Sequence, residues 1–138
     1  MAADVQIDWY TDDVVLAVEA ATQDLVAKIA FAIEAQAKVN VIANDQVDTG
    51  AMLNGIYTRT PAGSGYGQAA AEASTRRPEA AIALEADLPD DNAALVHAAM
   101  EYAIYQEDRL PFLYPAVEAV QRQVPAMVST VARSRGLV

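Results

Sequence analysis

The sequence predicts an α+β domain, in which a long N-terminal helix and two later helices pack on a small antiparallel sheet with a long flexible hairpin loop. Three observations support this fold class. The first third of the chain has helical periodicity and contains neither glycine nor proline. The middle contains two strand-like segments, and the last third returns to helical spacing. The 138 residues suffice for one core, so we expect a single domain over residues 1–138.

Composition and charge exclude several classes of function. Lys and Arg total 9 and Asp and Glu total 19, which gives a net charge of −10. The absence of cysteine excludes disulfides, thiol nucleophiles and cysteine metal sites, and a single histidine, His97, excludes a multi-histidine metal site within one chain. Phosphate binding requires clustered basic residues, so we do not expect this acidic chain to wrap a nucleic acid.

The N-terminal segment, residues 1–11, reads as a loose acidic lead-in. Its apolar members Val5, Ile7 and Trp9 alternate with polar residues, a pattern compatible with a short strand. The segment lacks the basic start and apolar stretch of a signal peptide. No run of eighteen uncharged apolar residues occurs, so we expect no membrane span and synthesis in the cytosol.

Residues 12–44 are predicted to form one long helix. The pairs Asp24/Lys28 and Glu34/Lys38 have the favourable i,i+4 order of acid before base. Residues on one stripe recur at steps of three, four or seven: Val15, Val18, Thr22, Leu25, Ile29, Ala32 and Val39. About thirty helical residues span roughly 45 Å. A domain of this size does not need such length for its own core, so we expect part of the helix to pack against something else.

The next segment predicts a turn, a short helix and a strand. Residues 45–50 form the turn, and Asp48 or Thr49 is suited to cap a short helix over residues 51–53. Residues 56–60 are β-branched and aromatic and predict a strand, which Pro61 ends.

The middle of the chain predicts a hairpin with a long tip. Three closely spaced glycines, Gly63, Gly65 and Gly67, favour a flexible loop over residues 61–78. Residues 79–88 alternate apolar and polar side chains and predict the returning strand.

Two further helices are predicted after this strand. Residues 90–92 are suited to cap a helix over about residues 92–107, which residues 109–111 end. The last helix starts near Pro115, because proline is favoured at the first helical position, and Pro125 lies inside it and should kink it.

No motif for enzymatic chemistry emerges, so we expect neither catalysis nor a cofactor or metal. The glycine-rich segment lacks the Lys-Ser/Thr of a phosphate loop, and His97 has no visible partner. Seven acids fall in one segment that has no Lys or Arg among them: Glu85, Asp87, Asp90, Asp91, Glu101, Glu107 and Asp108. They are interpreted as helix caps and a solvated acidic face, with a cation site or a functional acidic surface as alternatives. The aromatic residues Tyr102, Tyr105, Phe112 and Tyr114 predict core packing or an interface patch.

Two stretches of the chain resemble the tail-completion, or head–tail joining, proteins of long-tailed phages. The first is Val-Asp-Thr-Gly-Ala-Met-Leu-Asn-Gly-Ile at residues 47–56, after the long helix. The second is Glu-Tyr-Ala-Ile-Tyr-Gln-Glu at residues 101–107, followed by Pro-Phe-Leu-Tyr-Pro-Ala-Val-Glu at residues 111–118. The resemblance extends over roughly residues 12–135. The family usually has glycine where this chain has Asp108.

This resemblance implies a non-enzymatic structural protein of the virion, assembled in the bacterial cytoplasm. Such subunits form rings, usually sixfold, between the head connector or stopper and the tail tube or terminator, and DNA passes through the ring without specific binding. A tail-terminator ring that caps the tube is the alternative within this class. An acidic protein-binding module unrelated to phage and a small carboxylate enzyme are alternatives from other classes. A net negative charge suits a channel through which DNA slides.

The resemblance also implies structural roles for particular residues. Asp48 and Thr49 cap the short helix or contact a neighbour, and Gly50 permits the turn. Phe112 anchors the last helix to the core, and Pro115 starts it. Two tyrosines are candidates for core or subunit contact: Tyr102 and Tyr105. The candidates for channel-facing acids come from the segment without bases: Glu85, Asp87, Asp90 and Asp91.

Overall fold

The computed structural model describes residues 11–138 and shows helices around a three-stranded antiparallel sheet, which confirms the α+β fold class. The elements in chain order are α1 (Thr11–Ala43), α2 (Ala51–Gly55), β1 (Ile56–Thr60), β2 (Gly63–Ser64), α3 (Tyr66–Arg76), a 3-10 turn (Pro78–Ala80), β3 (Leu95–Ala98), α4 (Ala103–Arg109), α5 (Leu113–Gln121) and α6 (Val124–Ser134). Apart from Thr11, which begins α1, the predicted lead-in lies outside the described residues, together with the alternation of Val5, Ile7 and Trp9.

Helix α1 confirms the predicted long helix. It has 33 residues, which corresponds to a length of about 50 Å. The predicted pair Glu34/Lys38 forms, with 3.5 Å between the carboxylate and the ammonium nitrogen. Asp24 instead lies 3.8 Å from Nε of Arg135, just beyond α6, so this carboxylate ties the first half of α1 to the C-terminal end of the chain.

The sheet has the strand order β2-β1-β3. Strand β1 coincides with the predicted strand at residues 56–60, and it forms a tight hairpin with β2. On its other edge β1 pairs antiparallel with β3, from Ile56 opposite Ala98 to Arg59 opposite Leu95. The third strand therefore comes from a part of the sequence that had been predicted as helix.

The core lies between the inner side of α1, the sheet, α3 and the start of α5. Its largest fully buried side chains include Tyr57, Met100 and Val41. Phe112 is 2% exposed and belongs to this core, as predicted. Alternate residues of a strand point to opposite faces, so Tyr57 lies on the face of β1 opposite Ile56 and Thr58.

The predicted flexible loop over residues 61–78 is wrong, because this segment contains β2 and the eleven-residue helix α3. The Ser64 hydroxyl accepts a hydrogen bond from the Tyr66 amide at 3.1 Å and helps to start the helix. Alanine is the best helix former, and Ala69 and Ala73 bury one face of α3 in the core. The glycines cluster ahead of these alanines and do not set the conformation of the whole segment.

The predicted strand over residues 79–88 and the predicted helix over residues 92–107 are also wrong. Residues 81–94 have no regular structure apart from a bridge between Ala81 and Met100. Strand β3 and helix α4 replace the predicted helix, and the Asp90 carboxylate accepts the Asn92 amide at 2.8 Å in a turn instead of capping it. The four residues of β3 are too short a run to separate strand from helix by periodicity.

The C-terminal region divides into more helices than predicted. Helix α5 begins at Leu113, so Pro115 is its third residue and not its first. Pro125 is the second residue of α6, and the chain turns between α5 and α6 where one kinked helix had been expected. The end of α4 at Arg109 agrees with the predicted break at residues 109–111.

Candidate assembly surfaces

The strap, which we define as residues 110–114 between α4 and the first turn of α5, is held by amide side chains at the end of α1. Asn40 donates to the Phe112 carbonyl at 2.9 Å, and Asn44 donates to the Pro111 carbonyl at 3.0 Å. Gln46 donates to the Leu110 carbonyl at 3.0 Å. Three consecutive carbonyls of the strap therefore accept hydrogen bonds from side chains in or just after the last turn of α1.

Glu107 satisfies the amides of the same strap. Its carboxylate accepts hydrogen bonds from the backbone amides of Phe112, Leu113 and Tyr114 at 2.9, 2.8 and 2.8 Å. The first amides of a helix have no partner within the helix, and its N-terminal end favours a negative charge. Glu107 thus caps α5, although the sequence pattern had placed it on a solvated acidic face. The signal available in the sequence was a glutamate five residues before the Phe of a Pro-Phe step.

The Asp-Thr-Gly turn at residues 48–50 links α1 to α2, but Asp48 does not cap α2. Gly50 is the residue before α2 and has φ +81°, in the left-handed region that glycine adopts without strain. The Thr49 hydroxyl accepts the Ala51 amide at 3.3 Å. Asp48 bonds Arg77 beyond α3 at 2.5 Å, because the folded chain brings Arg77 to this turn.

Two arginines at the end of α3 contact this turn. Hydrogen bonding to Asp48 raises the pKa of Arg77 above its ordinary value, which keeps the guanidinium charged. Arg76 donates to the Thr49 carbonyl at 2.8 Å. The turn is therefore clamped to the end of α3 by two arginines, and its role in the described residues is to hold α1, α2 and α3 together.

The four aromatic candidates do not form one patch. Phe112 is buried and Tyr102 is half-buried, whereas Tyr105 is 70% exposed and Tyr114 is 64% exposed. Burial raises the pKa of Tyr102 above the ordinary value of 10.0. Phe112 therefore belongs to the core, whereas a role of the two exposed tyrosines in an interface stays a prediction.

The four candidate channel acids are not equivalent. Arg59 on β1 lies 3.3 Å from the Asp87 carboxylate and 3.8 Å from the Glu85 carboxylate, and Glu85 also accepts a hydrogen bond from the Ser64 hydroxyl. The Asp90 carboxylate accepts a hydrogen bond from the Asn92 amide within a turn, and Asp91 is exposed. The segment lacks bases in sequence, but the fold supplies one to its first two acids.

His97 lies on β3 and not on a helix as predicted. Its ring packs at 5.8 Å from the Tyr57 ring in an edge arrangement. Two buried polar side-chain atoms within residues 11–138 lack a hydrogen-bond partner, His97 Nδ1 and Thr58 Oγ1. Tyr57 itself is satisfied, since its hydroxyl accepts the Ala86 amide at 3.2 Å, and burial raises its pKa above 10.0.

Helix α1 carries an apolar surface on the side that faces away from the core. Phe31 is 54% exposed, Val39 is 55% exposed and Ile42 is 60% exposed. Successive helical residues are about 100° apart, so these three fall on one stripe with Lys28 and Ala35. We call these five residues the outer face of α1. The buried residues Ala30, Ala37 and Val41 lie on the opposite stripe.

Two concave surfaces flank the sheet. A cleft of about 580 Å³ opens on the β2 side, where its walls include Phe31 and Thr58. An apolar groove of about 320 Å³ opens on the β3 side, where its walls include Val96 and Ile104. Within residues 11–138, no three metal-ligating side chains come together, and none of the helices is long and apolar enough to cross a membrane.

Comparison of the chain with known protein families, with curated proteins and with solved structures gives no match. The arguments about function therefore rest on the sequence pattern and on the surfaces described above.

Proposed function

We propose that this chain is a structural protein of a tailed-phage virion, a subunit of a neck ring that joins the head connector to the tail. The outer face of α1 carries the proposal. A helix that is apolar on two sides is typical of one that is buried on two sides, and this chain covers only one of them. Further copies of the chain are the natural cover in a ring.

The resemblance to tail-completion proteins adds to this support, because its two stretches coincide with the two junctions that hold α1. Residues 48–50 clamp the segment after α1 to the end of α3 through Arg77, and residues 107–114 contain the strap and Glu107, which caps it. In the proposed ring the chain has no catalytic role and needs no cofactor. The net charge of −10 suits a channel that lets DNA slide without gripping phosphate.

The test is to delete the gene from the phage or prophage that encodes it and to examine the particles by negative-stain microscopy. A joining subunit predicts filled heads and separate tails of normal length, and addition of the purified protein should restore joining. Tails of uncontrolled length would instead indicate a terminator that stops growth of the tube. Normal joined particles would contradict both roles.

An acidic protein-binding module is a second candidate, and the exposed acids favour it. Asp91 and Asp108 are exposed and have no ion pair among the described residues. Such a module predicts a salt-sensitive complex with a basic protein, formed by a chain that remains a monomer or dimer. Retention of a basic host protein that is lost at high salt, together with normal virions after deletion, would favour this candidate over the neck ring.

A further inference from the structure

The outer face of α1 differs in charge from the rest of the chain. Residues 25–44 contain both lysines of the chain, Lys28 and Lys38, and one acid, Glu34, so their net charge is +1 in a chain of −10. Lys38 is paired with Glu34, and Lys28 is exposed. The outer face is therefore an apolar surface with a basic edge, which favours an apolar and acidic partner surface.

A surface of that kind exists elsewhere on the same chain. On and just before α4, Glu101, Ile104, Tyr105 and Asp108 fall on one exposed stripe, and we call these four residues the α4 patch. Ile104 is 71% exposed and Tyr105 is 70% exposed. Residues 101–109 carry three acids, Glu101, Glu107 and Asp108, against one base, Arg109, so their net charge is −2.

The outer face and the α4 patch border different concave surfaces of one copy. Phe31 of the outer face borders the cleft on the β2 side, and Ile104 of the α4 patch borders the groove on the β3 side. The two surfaces share no residue and belong to different helices, α1 and α4. Contacts between unlike surfaces of identical subunits are head-to-tail, and they close into rings when the rotation permits.

From this arrangement we infer that the outer face of α1 in one copy packs against the α4 patch of the next copy. The apolar pairs exclude water from the centre, and Lys28 approaches the acids at the edge of the patch. This inference names the partner of the surface that carries the proposed function, and it rests on that proposal for its choice of a second copy.

The test uses two variants that each break one surface. Val39→Asp places a charge in the outer face, and Ile104→Asp places a charge in the α4 patch. Each should weaken self-association about 100-fold or more, because an unpaired charge would be buried at the centre of the contact. Leu84→Asp is the matched control, since Leu84 is 81% exposed and belongs to neither surface.

Solution mass is measured by light scattering across concentration, with thermal melts to show that each variant is folded. The wild type and Leu84→Asp should form the same closed oligomer, and each of the other two variants should be monomeric. A mixture of Val39→Asp and Ile104→Asp should give a particle of two chains, because one variant keeps the α4 patch and the other keeps the outer face.

Three results would overturn the inference: a monomeric wild type at every concentration, an oligomer of either broken variant, or a mixture that stays monomeric. Two copies joined by like surfaces give no rescue on mixing, so that arrangement is also excluded by the expected result. Binding of labelled single chains to isolated phage tails is measured separately. It distinguishes failure of this contact from failure of the neck function, because a single chain can bind to the end of a tail without contacting a copy of itself.

Discussion

The two sides of helix α1 differ in how much of their apolar surface is buried. The inner side buries Ala37 and Val41 in the core, and its amides at Asn40 and Asn44 hold the strap. The outer side exposes more than half of Phe31, Val39 and Ile42. The inner side therefore stabilises the single chain, whereas the outer side contributes less to its stability and is the surface that we propose for contact with a second copy. The two sides should therefore respond differently to substitution.

The largest expected contrast is between the two phenylalanines of the chain. Phe112→Ala should destabilise the chain by about 3–5 kcal/mol, because it leaves a cavity in the core. Phe31→Ala should cost about 1 kcal/mol or less, because Phe31 is half-exposed on the outer face. Urea unfolding of both variants at low protein concentration measures the difference. If Phe112→Ala is unfolded, Phe112→Leu gives the same ranking at smaller cost. Equal losses would contradict the division of α1 into two sides.

The next contrast compares two glutamates near α5. Glu107→Gln should cost about 2 kcal/mol, since it weakens charge-assisted hydrogen bonds to three amides of the strap. Glu118→Gln makes the same change of charge at an exposed position within α5, the helix that Glu107 caps, and should change the unfolding free energy by no more than about 0.5 kcal/mol. The unfolding free energies of the two variants are compared by urea denaturation. A similar small loss for both variants would contradict the assignment of Glu107 as the cap of α5.

A stabilising change is expected in the core beneath α1, where a buried hydroxyl on β1 lacks a hydrogen-bond partner. Thr58 is 2% exposed, and its hydroxyl, beside the cleft under α1, has no hydrogen-bond partner. Thr58→Val replaces that hydroxyl with a methyl group and should stabilise the chain by about 1 kcal/mol, because an unsatisfied buried hydroxyl costs free energy. Thr58→Ser, which keeps the hydroxyl and loses a methyl group, should destabilise it. A loss of stability in the valine variant would indicate that the hydroxyl has a partner in solution.

The smallest effect is expected at the exposed clamp between Asp48 and Arg77. Asp48→Asn should lower the melting temperature slightly at low salt, and the difference from the wild type should fade in 1 M NaCl, because salt screens an exposed ion pair. If Asp48 were a helix cap, the variant should show almost no loss at either salt concentration, because asparagine caps a helix about as well as aspartate. Thermal melts at the two salt concentrations separate the ion pair from the cap that the sequence suggested.

Local patterns in the sequence were sufficient to predict α1 and β1. Helix α1 and strand β1 follow from long helical periodicity and from a β-branched run, so both were predicted within about a residue of their bounds. Helix α3 was missed because the three glycines before and within its first turn were given more weight than its alanines. Strand β3 was missed because its four residues form a strand only by pairing with β1, which lies about forty residues earlier in the sequence.

The roles of the candidate site residues depended on partners distant in the sequence. Asp48 was expected to cap the next helix, but Arg77 reaches it from the far end of α3. Glu107 was grouped with solvated acids because nothing local shows that the chain folds back over its carboxylate. The expectation that α1 packs against something beyond the chain came from its length and stays a prediction, and the exposed stripe is the surface that we propose for this contact.

The most direct test of the head-to-tail contact uses the absence of cysteine from the chain. Val39→Cys and Ile104→Cys each introduce a single thiol, and a short bismaleimide joins thiols that lie close together. The account predicts covalent dimers when the two variants are mixed and few or none with either variant alone, and Leu84→Cys should give none with either partner. Cross-linking of Val39→Cys with itself, or no cross-linking in the mixture, would contradict the account.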